Sequence, residues 1–94
     1  MINNKLKLDV NKLIVLATQQ NINLKLYKKR NQFKNSAGII WDFDVTGGKI
    51  KRVCITGFSN SNIKSANIYH GESSKNGIDF KTESELIEFM KQYN

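Results

Sequence analysis

A glycine pair, Gly47-Gly48, constrains the fold of this chain more than any other feature, because it separates two apolar stretches of strand composition. The stretch after it runs from Ile50 to Ile55. In the stretch before it, apolar residues alternate with other residues, as in a half-buried strand: Ile39, Trp41, Phe43 and Val45. Glycine tolerates the positive φ angles that a two-residue hairpin loop requires. The pattern therefore predicts a β-hairpin within residues 37–57.

A two-residue loop at Gly47-Gly48 also sets a predicted register. Asp44 then lies opposite Lys51 as an opposite-charge cross-strand pair. Trp41 lies opposite Cys54, on the face assigned to the core, so Cys54 is interpreted as a small core residue. On the opposite face the same register places three apolar residues: Ile40, Val53 and Ile55.

Helical patterns flank the hairpin. Asp9 is a predicted N-cap for a helix from Val10 to about Gln20. Thr82 and Glu85 have the spacing of a capping box that begins a second helix. Four residues of this second helix recur at helical spacing and are predicted to dock on the sheet: Leu86, Phe89, Met90 and Tyr93.

Two further strands are predicted by alternation, at residues 22–29 and 64–70. The polar segments at residues 28–36 and 71–77 are predicted loops. Two amphipathic helices can cover one face of an antiparallel sheet and leave the other face open. We therefore predict one α+β domain over residues 1–94: a two-layer structure in which an N-terminal and a C-terminal helix cover one face of an antiparallel sheet of three to five strands.

The charge of the chain is unevenly distributed. The whole chain has 15 basic and 8 acidic residues, a net charge of +7. Residues 1–41 hold eight basic residues and one acid, whereas residues 42–94 hold seven of each. A basic half indicates a polyanion or an acidic protein as partner. Because 13 of the 15 cations are Lys, the composition of an AT-rich genome explains the excess equally well.

Residues suited to catalysis or metal binding are scarce. One cysteine excludes an internal disulfide and a multi-cysteine zinc site. A lone histidine, His70, is far more often a surface or core residue than a catalyst. Asp42 and Asp44 project from the same strand face. They are better interpreted as solvated carboxylates paired with lysines than as ligands of a metal site. We predict no enzyme activity, no catalytic residues, no cofactor and no metal.

The sequence has neither a signal-peptide pattern nor an apolar run of membrane-spanning length. It therefore predicts a soluble cytoplasmic protein without a membrane partner.

Cations and an aromatic residue are interleaved in one basic segment, which can contact phosphates and stack a base. Its cations are Lys25, Lys28, Lys29, Arg30 and Lys34, and its aromatic residue is Tyr27. The order of helix, strands and helix resembles the double-stranded-RNA-binding fold. That family uses a basic N-terminus on its last helix, whereas this chain has Glu83 and Glu85 there. The resemblance is therefore disfavoured, and a single-strand or RNA contact through the basic segment remains an alternative.

A second resemblance covers about half of the chain. The run Asp79-Phe80-Lys81-Thr82, followed by Glu85-Leu86 and Phe89, resembles the close of small phage anti-CRISPR proteins of the type I-F class. The strand from Ile22 to Tyr27 and the basic turn after it are similar to that group as well. The resemblance implies a stoichiometric inhibitor that docks on a host nucleoprotein complex and blocks access to it.

The leading prediction is thus a non-enzymatic interaction protein, encoded by a phage or mobile element, that inhibits a host CRISPR–Cas complex by surface occlusion. A small RNA- or single-stranded-DNA-binding module is the alternative, and an immunity protein against a toxin is a third possibility. Apolar residues on an uncovered sheet face indicate a protein partner or a homodimer. The predicted partner-binding residues are Tyr27, Ile40, Asp42, Val53 and Ile55.

Overall fold

A computed structural model describes residues 8–31, 38–58 and 62–94 of the chain. Its elements follow in the order α1 (Val10–Gln19), β1 (Asn23–Asn31), β2 (Gly38–Thr46), β3 (Ile50–Phe58), β4 (Lys64–His70), β5 (Ser73–Phe80) and α2 (Glu83–Tyr93). The five strands form one antiparallel sheet in the spatial order β1-β2-β3-β4-β5. The α+β class, the antiparallel sheet and the two flanking helices are confirmed.

The first helix begins and ends where its sequence predicts. The Asp9 side chain accepts a hydrogen bond from the Lys12 N–H at 3.0 Å, which satisfies one of the donors left open at a helix start. Asn21, just beyond the end of α1, has a φ of 62°. Asparagine adopts this left-handed conformation more readily than most residues. Leu13 and Ala17 lie on the face of α1 that packs against the core, and both are buried.

The hairpin is present, but its predicted register is wrong by one residue. Asp44 lies opposite Arg52, and Trp41 lies opposite Ile55. Three residues, 47–49, separate the two strands, and Gly47 has a positive φ whereas Gly48 does not. Because side chains alternate with a period of two, a one-residue shift moves every side chain of β3 to the other face.

The core therefore lies on one side of the sheet, between the strands and both helices. Odd-numbered residues of β2 point into it, and Phe43 is completely buried. Val53 and Ile55 join the same core at 1% and 0% exposure, so their predicted place on the opposite face is wrong. Burial of such side chains stabilises the fold by about 1.5–3 kcal/mol each.

Residues 71–77, predicted as a loop, instead form a turn and most of β5. Ser73 to Gly77 are all exposed, so this part of the strand has no apolar alternation by which it could be recognised. Gly77 has a φ of +70°, and its N–H donates to the Asn67 side chain at 2.9 Å. The contact lies at an irregularity in the pairing of β4 with β5, where glycine relieves the strain of a positive φ.

The second helix has the predicted capping box. The Glu85 N–H donates to the Thr82 hydroxyl at 3.2 Å, and the Glu85 carboxylate accepts from the Thr82 N–H at 3.0 Å. Leu86 and Met90 are fully buried, but Phe89, predicted to dock on the sheet, is 36% exposed. None of the helices in the described part of the chain is long and apolar enough to cross a membrane.

Candidate functional site

The sheet face opposite the helices has a groove of about 460 Å³, which we call the open-face groove. Neighbouring strands supply its lining because cross-strand partners share a face. From β2, Asp42 and Asp44 lie opposite Cys54 and Arg52 of β3. The full lining is Tyr27, Arg30, Asp42, Asp44, Arg52, Cys54 and Tyr69.

A β-bulge brings Tyr27 into this groove. The pairing of β1 with β2 steps from Leu26 opposite Phe43 to Lys28 opposite Asp42, so Tyr27 is the extra residue. A bulge bends its strand and changes the direction of the side chain at the extra position. The Tyr27 side chain is left 72% exposed, which makes its ring available to a partner.

Asp42 lies at the centre of a small polar network. Its carboxylate accepts a hydrogen bond from Arg30 Nε at 3.4 Å, and the two side chains are 16% and 46% exposed. Burial, followed by the hydrogen bond that the thiol donates to Asp42 and by the charge of that carboxylate, raises the pKa of Cys54 to about 11. The thiol is therefore protonated at neutral pH. Because the thiolate is the nucleophilic form of cysteine, this protonation makes Cys54 a poor nucleophile. Cys54 is half-buried in the groove, and its predicted place in the core is wrong.

The other half of the groove is formed by Arg52, Tyr69 and Asp44. The Arg52 guanidinium carbon lies 4.5 Å from the centroid of the Tyr69 ring, which is the geometry of a cation–π contact. Within the described residues, no ion pair joins Arg52 to Asp44, although the two are cross-strand partners. The groove thus presents one guanidinium and one carboxylate whose charges are available to a partner.

The predicted basic segment is mainly a strand. Lys25, Lys28, Lys29 and Arg30 are exposed residues of β1, and β1 is an edge strand of the sheet. Lys34 lies outside the described residues. Lysines and bulges on an edge strand protect proteins against edge-to-edge association, so these cations have a structural explanation as well as a functional one.

The predicted partner-binding residues separate into two groups. Tyr27 and Asp42 line the groove, as expected of an uncovered face. Val53 and Ile55 belong to the core, and Ile40 is only 8% exposed on the open side, so the predicted apolar patch does not exist. Sequence reasoning missed Arg52 because the shifted register assigned it to the core face. It missed Tyr69 because the sequence placed Ile68 and Tyr69 on opposite faces without indicating which face is covered.

A smaller recess of about 200 Å³ lies beside the start of α2 and includes Phe80 and Glu85 in its lining. The Glu85 carboxylate is already hydrogen-bonded to the N–H groups of Lys81 and Thr82, at 2.6 and 3.0 Å. In the part of the chain that the structure describes, no three His, Cys, Asp or Glu side chains come together to hold a metal. Of these two recesses in the described part of the chain, the open-face groove is the larger, and it is the candidate site.

No family model, curated protein or solved structure matches this chain.

Proposed function

We propose that this protein is a non-enzymatic binding protein that holds another protein against its open-face groove. The observation that carries the proposal is the make-up of the groove, in which Tyr27 and Tyr69 lie beside two arginines and two aspartates. Tyrosine and arginine dominate the binding energy of protein interfaces, because they combine large contact areas with directed hydrogen bonds. A face of this kind needs no catalytic group.

The charge balance of the groove favours a protein over a nucleic acid as occupant. Arg30 is neutralised by Asp42 at 3.4 Å, and Asp44 lies opposite Arg52. Two cations and two anions give the lining no net charge, whereas a phosphate backbone is attracted by an excess of cations. Charges of both signs match the mixed polar surface of a protein partner.

The proposed partner is the one that the anti-CRISPR resemblance implies, namely the type I-F CRISPR–Cas surveillance complex of a host cell. The protein would occlude a surface of that complex in a stoichiometric manner. A direct test measures binding of the chain to the purified complex by biolayer interferometry. A double variant with Tyr27 and Arg52 exchanged for Ala should weaken binding by several hundredfold, or about 30-fold for each residue, as expected for hot-spot residues worth about 2 kcal/mol each.

The matched control exchanges Lys75 and Lys81 for Ala, which removes positive charge from exposed positions outside the groove. The control variant should bind as the parent chain does. Loss of binding in both variants would show that net charge, rather than the groove, holds the partner. Absence of binding by the parent chain would reject this target.

One observation supports the alternative of nucleic-acid binding. Four exposed cations follow one another along β1, and Tyr27 with its exposed ring lies among them. A gel shift against single-stranded DNA and RNA tests this, with Lys28, Lys29 and Arg30 changed together to Ala. Binding that disappears in this variant, falls steeply with salt and survives a Lys75, Lys81 and Lys91 triple variant would favour the nucleic-acid function.

A further inference from the structure

The outer edge of β1 has no strand beside it among the described residues, because β1 is the first strand in the sheet order. The backbone of an edge strand presents a row of N–H and C=O groups that can pair with another extended chain. The opposite edge of the sheet is β5. The protein therefore has two edges that can be compared directly.

The two edges differ in charge. The nine residues of β1 include four cations and no acid, whereas the eight residues of β5 include one cation, Lys75, and one acid, Asp79. A second copy of β1 placed beside the first would bring cations against cations, which is unfavourable across a strand pair. The same cations attract a strand that carries carboxylates.

The bulge at Tyr27 divides the β1 edge in two. The segment Lys28–Asn31 pairs with β2 without interruption and holds three of the four cations. Lys28 and Lys29 are exposed and belong to no ion pair among the described residues. This half of the edge therefore has both a high density of positive charge and a regular backbone that can pair with another strand.

We propose that the Lys28–Asn31 edge accepts an acidic, extended segment of a partner protein as a sixth strand of the sheet. In such strand addition, the backbone hydrogen bonds supply affinity and the alternate side chains supply selectivity. Here the selectivity is for Glu or Asp at the positions that face the cations. Arg30 is the one residue of this edge that also lines the open-face groove. The tests below therefore change only Lys28 and Lys29, so the proposal stands or falls independently of the function proposed for that groove.

The test uses a blocked eight-residue peptide of alternating Glu and Val, labelled with fluorescein, and measures fluorescence anisotropy with the full chain. We expect saturable binding. A second peptide of the same sequence, N-methylated at every residue, keeps its charge but has no residue N–H group left to donate to the edge. Its affinity should be at least tenfold lower.

The variant Lys28→Glu with Lys29→Glu should weaken binding of the first peptide at least tenfold. Lys28 and Lys29 lie on opposite faces of β1, so the face that carries the Glu residues of the peptide meets an acid in place of a cation in either orientation, and the groove residues are unchanged. The matched control, Lys75→Glu with Lys81→Glu, makes the same change in net charge near the other edge and should alter affinity less than twofold. Circular dichroism checks that both variants remain folded.

Three results would overturn the proposal. The first is no binding of the Glu-Val peptide, and the second is equal binding of the N-methylated peptide, which indicates attraction without strand pairing. The third is equal loss in the two double variants. A twelve-residue oligothymidylate that binds through Lys28 and Lys29, while the peptide does not, would assign the surface to nucleic acid instead.

Discussion

Arg52 lies over the ring of Tyr69, with its guanidinium carbon 4.5 Å from the ring centroid. This contact exists because Arg52 points to the open side of the sheet, as the observed register of the hairpin requires. The same register places Arg52, and not Lys51, opposite Asp44 among the groove residues. The register thus decides which side chains of β3 are buried in the core and which line the groove.

The register can be tested by exchanging charges across the hairpin. Asp44→Arg should destabilise the fold by about 0.2–1 kcal/mol, because like charges then lie opposite each other, and Arg52→Asp added to it should restore part of the loss. Lys51→Asp added to Asp44→Arg should restore less, since Lys51 is not its cross-strand partner. Urea denaturation of the single and double variants gives the coupling energies. A larger coupling with Lys51 would contradict the register.

Ile55→Asp should unfold the protein. The Ile55 side chain is fully buried between the sheet and the helices, and an unpaired buried carboxylate costs several kcal/mol, comparable to the whole stability of a small domain. The shifted register of the sequence analysis predicts instead that this variant stays folded. Thr56→Asp, one residue further on the open side, is the control and should cost about 1 kcal/mol or less. Thermal melts followed by circular dichroism compare the two.

The Thr82 hydroxyl in the capping box of α2 is predicted to stabilise the helix. Thr82→Ala should lower stability by about 1 kcal/mol, because the Glu85 N–H loses its acceptor at the helix start. Chemical denaturation at neutral pH measures this loss. Thr82→Ser keeps the hydroxyl and should retain most of the stability, and an equal loss in both variants would contradict a capping role.

The Glu85 carboxylate predicts a pH dependence. Hydrogen bonds from the N–H groups of Lys81 and Thr82 lower the pKa of Glu85 below the ordinary value of about 4.5 for a glutamate. A lowered pKa in the folded state stabilises the fold above the unfolded pKa, and this stabilisation is lost as the pH falls through the folded value. Glu85→Gln should therefore be less stable than the parent at pH 7, and the difference should disappear as the pH drops below 4.5. A difference that persists at low pH would indicate a packing effect.

Cys54 should react slowly with alkylating reagents. With its pKa raised to about 11, the thiolate fraction at pH 8 falls about a hundredfold, and the higher nucleophilicity of a more basic thiolate recovers only part of this. Alkylation by iodoacetamide should be roughly tenfold slower than that of a free cysteine. Asp42→Asn removes the carboxylate that helps to raise the pKa and should accelerate the reaction. An unchanged rate in this variant would mean that burial alone controls the thiol.

Local signals in the sequence were sufficient for most of the fold. Capping by Asp9 and Thr82 depends on side chains within three residues of the helix start, and alternation in β2 reflects burial on one face. The β5 strand could not be recognised because it is an exposed edge whose first five residues contain no apolar side chain. Its pairing with β4 depends on backbone hydrogen bonds, which almost any residue type can form and which the sequence therefore does not indicate.

The candidate site was less predictable than the fold for a geometric reason. Gly47 has a positive φ and Gly48 does not, a difference that two identical residues cannot reveal in a sequence. The loop has three residues instead of the predicted two, so Arg52 and not Ile55 lies on the open side. Tyr27 and Asp42 lie on the open side as predicted, because their places depend on β1 and β2 and not on the length of the β2–β3 loop. Their role in partner binding stays a prediction.

The order of the strands has a consequence for the kinetics of folding. Each strand pairs with its neighbour in sequence, so the sheet can form by closing short loops, each at a small entropic cost. The contact between the Asp9 N–H and the Glu83 carboxylate joins residues 74 positions apart. We expect the hairpins to be structured in the transition state and the helix pair to dock after it. Mutations at the α1–α2 contact should then accelerate unfolding while leaving the folding rate nearly unchanged.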